Sequence, residues 1–535
     1  MKALRLILPV LAAAATASAQ DLSTEVVVER TIVPVERAAS RPRGLQPRVT
    51  LPKTTTPAMS TAGYDSPAEI TRAIPRLTPV DGALVPESTW RGYLTAGYFP
   101  ALDAAVSAGY RFLQSQRLTA GAWLHFDNLK YKPVSGDLNP DGLHNRYTAI
   151  SAGAYMSLRP AERSRLDAAA SYRYSSRHLG LMSNSQSLSD GRIAVAWTSR
   201  LEGLDYHASA DVELFSFGKC DLATEGLSQQ HYNIKLGGAL YFDEDARAGV
   251  DIEADLQHTA ISRLVLPANL AHPTLGVITF TPFVEARGEH YAARAGARID
   301  VLPGGTGSRL NVAPDVRLSW MPVTCVALTA SAGGGRRLNT LSVLESVSPL
   351  LYATTPFDRS RIPFEADLDL TVGPFKGLSV SLFGGFAKAD RSLMFGTAAM
   401  PLMMCKAKGF HGGIKAAYDS RLVTVEAGAE VAGRGDWYQR RDGARWVVEA
   451  GARVRPLAGL EVGLDYTLRS GRLIPAAMPG IGTVVSDLGA TARYNFSPRL
   501  AVTATVSNLT GRRWLDAPGV ANRKLNGLVG VSYLF

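Results

Sequence analysis

The side chains that could do chemistry are sparse in this chain, and their spacing argues against catalysis. Nine histidines are scattered through 535 residues, and no two stand at metal-ligand spacing. Three cysteines, Cys220, Cys325 and Cys405, are too few for a disulfide framework or a multi-cysteine zinc module. An oxidising compartment allows a bridge between Cys220 and Cys405; buried or free thiols are the alternative. The chain carries no nucleophile elbow, no H-E-x-x-H and no phosphate-binding loop. Gly304-Gly305-Thr306-Gly307-Ser308 is glycine-rich but has no following helix, so it reads as a turn. No enzyme activity, metal or cofactor is therefore expected. What remains is ionic. Arg294, Arg298, Arg309 and Arg317 fall on adjacent segments, and Glu365, Asp367 and Asp369 follow two segments later. Such mixed-sign charge either holds a folded segment through ion pairs or simply keeps a water-facing wall wet.

The elements that carry these charges show period-2 alternation. Leu460, Val462, Leu464, Tyr466 and Leu468 alternate with Glu461, Gly463, Asp465, Thr467 and Arg469. Phe364, Ala366, Leu368, Leu370 and Val372 alternate with Glu365, Asp367, Asp369 and Thr371. Successive strand residues point to opposite faces, so each stretch has one apolar and one polar face. The alternation runs for about 10–15 residues, longer than ordinary sandwich strands and enough to cross a bilayer with tilt. Apolar residues are 46% of the chain and charged ones 19%, with a mean hydropathy of +0.01. That balance excludes general disorder, and no mature stretch is long and apolar enough for a transmembrane helix. The reading is an all-β transmembrane antiparallel barrel of about 22 strands, from 90–99 to 525–535, with 20 and 24 as the alternative counts. Short turns follow the even-numbered strands and longer loops most odd-numbered ones, the longest near 334–361. An even count with that asymmetry puts both termini in the periplasm of an outer membrane. Tyr241, Phe242, Trp320, Tyr418, Tyr494 and Phe496, near turns, read as an interfacial girdle.

Ahead of the barrel, Met1 to Arg5 is a short basic head, Leu6 to Ala15 an apolar run, and Ala17-Ser18-Ala19 a cleavage pattern. Residues 1–19 read as a secretory signal peptide. Its removal takes Lys2 and Arg5 from the formal charge of +10 and leaves +8, which does not call for nucleic acid. Residues 20–89 carry nine prolines and equal numbers of basic and acidic residues. That spacing forbids long helices and central strands, so the segment reads as an extended arm in the periplasm or the lumen. The barrel occupies 90–535.

Leu528 to Phe535 alternates, with Gly530 and Tyr533 preceding a terminal Phe535. It resembles the C-terminal signal read by the outer-membrane barrel assembly machinery, except that Leu528 stands where a polar residue is preferred. With Val506-Ser507-Asn508-Leu509-Thr510-Gly511, Trp514 and Arg523 it resembles the closing hairpin of TonB-dependent outer-membrane receptors. That resemblance implies uptake of a scarce ligand, energised through a periplasmic TonB-like partner. It also implies an N-terminal plug of well over a hundred residues, for which 20–89 is too short. Ser23-Thr24-Glu25-Val26-Val27-Val28 resembles the family's TonB box; an extended segment that pairs elsewhere is the alternative. A barrel this wide must be filled, by 20–89, by an inward loop such as 334–361, or by a lumen-occluding partner. Two functions follow: a receptor-like barrel admitting a solute, or a structural or assembly subunit whose partner closes the lumen.

Overall fold

The computed structural model describes residues 91–99, 103–131, 145–178, 185–201, 203–218, 227–243, 245–261, 274–303, 309–347, 358–395, 402–433, 444–472, 482–517, 520–523 and 525–535. Residues 1–19, read above as a signal peptide, the proline-rich segment 20–89 with its valine cluster, and Cys220 lie outside these residues.

The first half of the ring contains β1 (Gly92–Phe99), β2 (Asp103–Gln114), β3 (Leu118–Tyr131), β4 (Asn145–Ala161), β5 (Ser164–His178), β6 (Gln186–Leu201), β7 (Leu204–Phe217), β8 (Leu227–Asp243), β9 (Ala246–Ile261), β10 (Leu275–Arg287) and β11 (Tyr291–Val301). The second half contains β12 (Leu310–Val323), β13 (Val326–Leu338), β14 (Arg359–Phe375), β15 (Leu378–Phe395), β16 (Leu402–Asp419), β17 (Val423–Ala432), β18 (Trp446–Leu457), β19 (Leu460–Ser470), β20 (Val485–Asn495) and β21 (Leu500–Ser507). A short helix α1 (Leu341–Val347) lies between β13 and β14, and a small hairpin, β22 (Leu515–Ala517) with β23 (Val520–Ala521), precedes β24 (Asn526–Leu534). Each strand of the ring pairs antiparallel with its neighbours in sequence, giving the expected 22-stranded sheet. The ring closes where β1 pairs β24, with Gly97 opposite Gly530 and Leu94 opposite Tyr533. No edge of the described sheet is left for another chain to pair with.

The pleat sorts the side chains. Along β16, Phe410, Ile414 and Tyr418 stand exposed on the outside, while His411 is buried on the inside. Exposed Leu, Val, Ile, Phe, Trp and Tyr recur on the outer face of strand after strand. Water would penalise so continuous an apolar belt, and hydrocarbon would not. Trp320, Tyr418, Tyr494, Phe496 and Phe242 stand outward near the short turns, as expected. Tyr241 does not. It faces inward, where its hydroxyl donates to Asp205 at 2.7 Å. Neighbours in one strand point to opposite faces, so Tyr241 and Phe242 cannot both meet lipid.

The connections also sort. Those after even-numbered strands are short, such as 162–163, 324–325 and 376–377. Gly377 shows why glycine is needed there: its φ is 92°, and a Cβ would run into the Asp419 carbonyl oxygen. The connections after odd-numbered strands are mostly longer, although 100–102 is not. The longest spans 339–358, because β13 and β14 extend further than the sequence suggests. Just before it, the β13–β14 register shifts between Gly333 and Gly335, and Gly335 takes φ 126°. Such a bulge bends the chain, here ahead of a loop that turns inward.

Candidate functional site: the charged lumen and its inward loop

Polar positions of the alternating strands all meet in the lumen, so charges distant in sequence become neighbours. Arg294 on β11 donates to Asp315 on β12 at 2.9 Å and to Asp251 on β9 at 2.8 Å. Its guanidinium also lies 3.7 Å from the Phe283 ring centroid, a cation–π contact. Arg298 donates to Asp300 at 2.8 Å; that carboxylate is fully buried and also accepts from Asn311, Thr279 and the Arg336 backbone. Arg317 is more open and stands 3.6 Å from Asp315. Glu365 accepts from Arg337 at 3.2 Å. Asp367 and Glu430 flank His411, each at 3.0 Å. Asp369 accepts from Thr371 at 2.9 Å. Arg309 lies just ahead of β12, exposed, with its carbonyl accepting from Leu302, and it does not join Arg294 and Arg298. Most of the named charges thus pair within the wall rather than reaching across it.

One element reaches across. Thr340 opens α1, its hydroxyl accepting from the Val343 amide at 3.4 Å, as an N-cap does. The next free amide of the helix, on Leu341, is taken by Gln229 of β8 at 2.7 Å. Ser342 donates to Glu213 of β7 at 2.9 Å. Glu345 accepts from Arg173 of β5 at 3.1 Å and from Arg177 of the same strand. These strands lie five to eight places round the ring from β13, so the loop spans the lumen and docks on the far wall. Leu341 and Leu344 are completely buried there. Burial opposes the charge on Glu345, but the Arg177 and Arg173 guanidiniums outweigh it and hold the carboxyl below the usual glutamate range. Sequence reasoning offers 334–361 as one possible lumen filler but singles out no residue in it.

Beneath α1 lies a cavity of about 1570 Å³. It runs from Ser115 and Arg159, at the short-turn end, to Thr340 and Glu345 of the inward loop. Its wall includes Arg294, Arg298, Arg317 and Glu365. Among the described residues no cluster of three or more His, Cys, Asp or Glu side chains could hold a metal ion. Cys325 sits in the β12–β13 turn, and Cys405 packs half-buried against a small apolar cluster that includes Ile362 and Ala387.

The end of the chain forms a second organised region. Asn508 adopts φ 52°, a left-handed conformation that Asn tolerates. Its side chain donates to the Arg512 and Arg523 carbonyls, each at 2.7 Å. Trp514 donates from its backbone to Asn522 at 2.9 Å and from its indole to Asp516 at 2.8 Å. Arg523 is buried against Asp103 of β2. Phe535 closes the seam: its carbonyl accepts from Arg91 and Gly92 at 2.8 Å, and its ring stacks at 6.0 Å on Tyr110 and 6.1 Å on Tyr533.

Solved structures share this architecture. The FrpB iron transporter of Neisseria meningitidis superposes with a TM-score of 0.64 at 12% identity, covering 84% of this chain and 81% of that one. The likeness is one of fold. The ferric enterobactin receptor PfeA of Pseudomonas aeruginosa, in a doubly substituted form, gives 0.60 at 11% identity, covering 83% of this chain and 80% of that one. The siderophore receptor PirA from the same organism gives 0.57 at 13%, over 83% and 80%. This is the fold that the resemblance to TonB-dependent receptors implies. No protein-family model and no curated protein matches the sequence.

Proposed function

We propose that this barrel admits a polar solute across the outer membrane, as a receptor-like transport barrel with both termini in the periplasm. The observation that carries the reading is the inward loop. It narrows the lumen from within and leaves a charged passage beneath it. A barrel that serves as a scaffold for a partner has no need of a constriction of its own. The neighbours are named as an iron transporter, a ferric enterobactin receptor and a siderophore receptor, which makes ferric chelates the first ligands to test. In the same reading, Thr24 to Val28 contact a TonB-like transducer, the remainder of 20–89 enters the lumen, and Gly530, Tyr533 and Phe535 present the chain to the assembly machinery.

The test is conductance of the purified barrel in planar bilayers. Steps that respond to added ligand are expected, and deletion of residues 20–89 should raise the open level. Silence of both the full-length and the deleted protein would sink the channel reading. Replacing Val27 by proline should stop energised uptake in cells while leaving conductance unchanged; uptake that persists would remove the TonB contact.

A further inference from the structure

The lumen charges are largely paired, but a group of outward-facing ones is not. At the long-loop ends of β15 and β16, Lys388 stands directly opposite Lys408. Two positions further into the membrane, Phe386 stands opposite Phe410, and Phe364 of β14 is the cross-strand partner of Lys388. These phenylalanines are exposed on the lipid face, Phe410 at 61%. Lys406 continues the outward, exposed positions of β16. On the same rim at β3, β4 and β5, Lys130 is opposite Arg146, and Arg146 is opposite His178. Below that row lie Phe126, Ile150 and Tyr174, again partners in register. Among the described residues, no carboxylate forms an ion pair with any of these six basic side chains, whereas Arg294, Arg298 and Arg337 all have one.

Like charges directly opposite each other on one face of a sheet are destabilising. Here they are stacked in register, with no counter-ion from the described residues of the protein. The apolar belt tells where they sit. From Tyr418 up to Phe410 the outward positions of β16 (Phe410, Gly412, Ile414, Ala416 and Tyr418) carry no charge, a length of strand that about spans the hydrocarbon layer. Lys408 is the next outward residue, at the level of the lipid headgroups. An anion that bridges these cations must come from the lipid side, with acyl chains lying on the aromatic residues below.

We propose that the two rows, Lys388–Lys408 with Lys406 and Lys130–Arg146–His178, bind a phosphate-bearing glycolipid of the outer leaflet. The phosphates bridge basic side chains on adjacent strands, and the acyl chains pack on Phe386, Phe410 and Phe364 or on Ile150 and Tyr174. The proposal rests on the orientation given above, with the long loops outside. It does not depend on what passes through the lumen.

The probe is purified bis-phosphorylated lipid A, added to the full-length barrel in detergent and followed by native mass spectrometry after gel filtration. The unmodified protein should retain it. Each cation removed should weaken retention about fivefold, so Lys388→Gln with Lys408→Gln, and separately Lys130→Gln with Arg146→Gln, should each lose most of one bound lipid. Heat-modifiable migration on gels reports that the variants still fold, and their conductance should match the parent. Lipid A without phosphates should not be retained. Equal retention by the variant carrying all four substitutions together would overturn the proposal. So would equal competition by phosphatidylglycerol, which would mark an ordinary anionic-lipid surface, or by millimolar inorganic phosphate, which would mark a free-anion site. A loss of conductance with lipid binding intact would count against the channel reading alone.

Discussion

Arg523 shows how much one side chain can hold. It is buried with Asp103 and donates to Asn526 at 2.6 Å, fastening the last loop to the start of β2. Removing one member of a buried pair leaves the other charge unbalanced, at a cost of about 3–5 kcal/mol. Arg523→Ala should therefore lower the urea midpoint of unfolding in detergent micelles, and far more than Arg165→Ala, whose partner Asp167 is exposed. Asp516 gives a pH-dependent case. Burial pushes its carboxyl up to about 7, against the opposing hydrogen bond from Trp514 and the charge of Arg472. An acid with a raised pKa holds a proton in the folded loop that the unfolded loop has already lost. Its contribution to loop stability is therefore full below about pH 4, the usual aspartate value, and falls progressively until pH 7. Protection of the Trp514 amide against hydrogen exchange, corrected for intrinsic rate, should fall over that window. Asp516→Asn should flatten the profile. Neither role is visible in the sequence. Asn508, Trp514 and Arg523 stand out as parts of a motif, but their partners lie on carbonyls and carboxylates that only folding brings near.

At the scale of the element, the inward loop and the lipid-facing strands make different demands. Glu345 and its arginine partners are 168 and 172 positions apart, so no local pattern announces them. The loop's length is legible and its destination is not. Glu345→Gln should free α1 from the far wall and raise single-channel conductance above the parent level, as a measure of the constriction. Because the Glu345 carboxyl is held below its usual range, the tether is complete at neutral pH and is lost only as pH falls below about 4. On the strands, alternation is enough to assign faces, since the pleat leaves no choice. Ile414, midway along β16 and exposed outward, should tolerate arginine poorly. A cost of about 2–4 kcal/mol is expected at the bilayer midplane, against little change for Lys415→Arg on the lumen side, measured as folded fraction in lipid vesicles. Where alternation misleads, the cause is also local. Tyr241 beside Phe242 looks like part of a girdle, yet one of any adjacent pair must turn inward. Arg309 shares the parity of Arg317 but precedes β12, so the wall does not carry it into the group.

At the scale of the whole molecule, 22 strands are countable because each carries its own alternation and each turn its own breakers. The sequence is silent on which lumen charges meet, since that depends on closure of the ring. Phe535 is tied to closure by its backbone bonds to Arg91 and Gly92 and by its ring on Tyr110. Its deletion should cut the yield of heat-modifiable barrel in cells well below that of Phe535→Tyr, which keeps the aromatic ring.

The β1–β24 seam also has a consequence in time. Thr95 and Ser532 meet across it although 437 positions separate them. Of the ring's strands β1 is made first, and its partner on one side, β24, is made last. Through that whole interval one flank of β1 has no mate, and its exposed amides and carbonyls are open to any stray strand. The unpaired flank of β1 therefore has to be kept from other strands until β24 is available. Closure of the ring therefore joins the two strands most distant in sequence, and it cannot precede synthesis of β24.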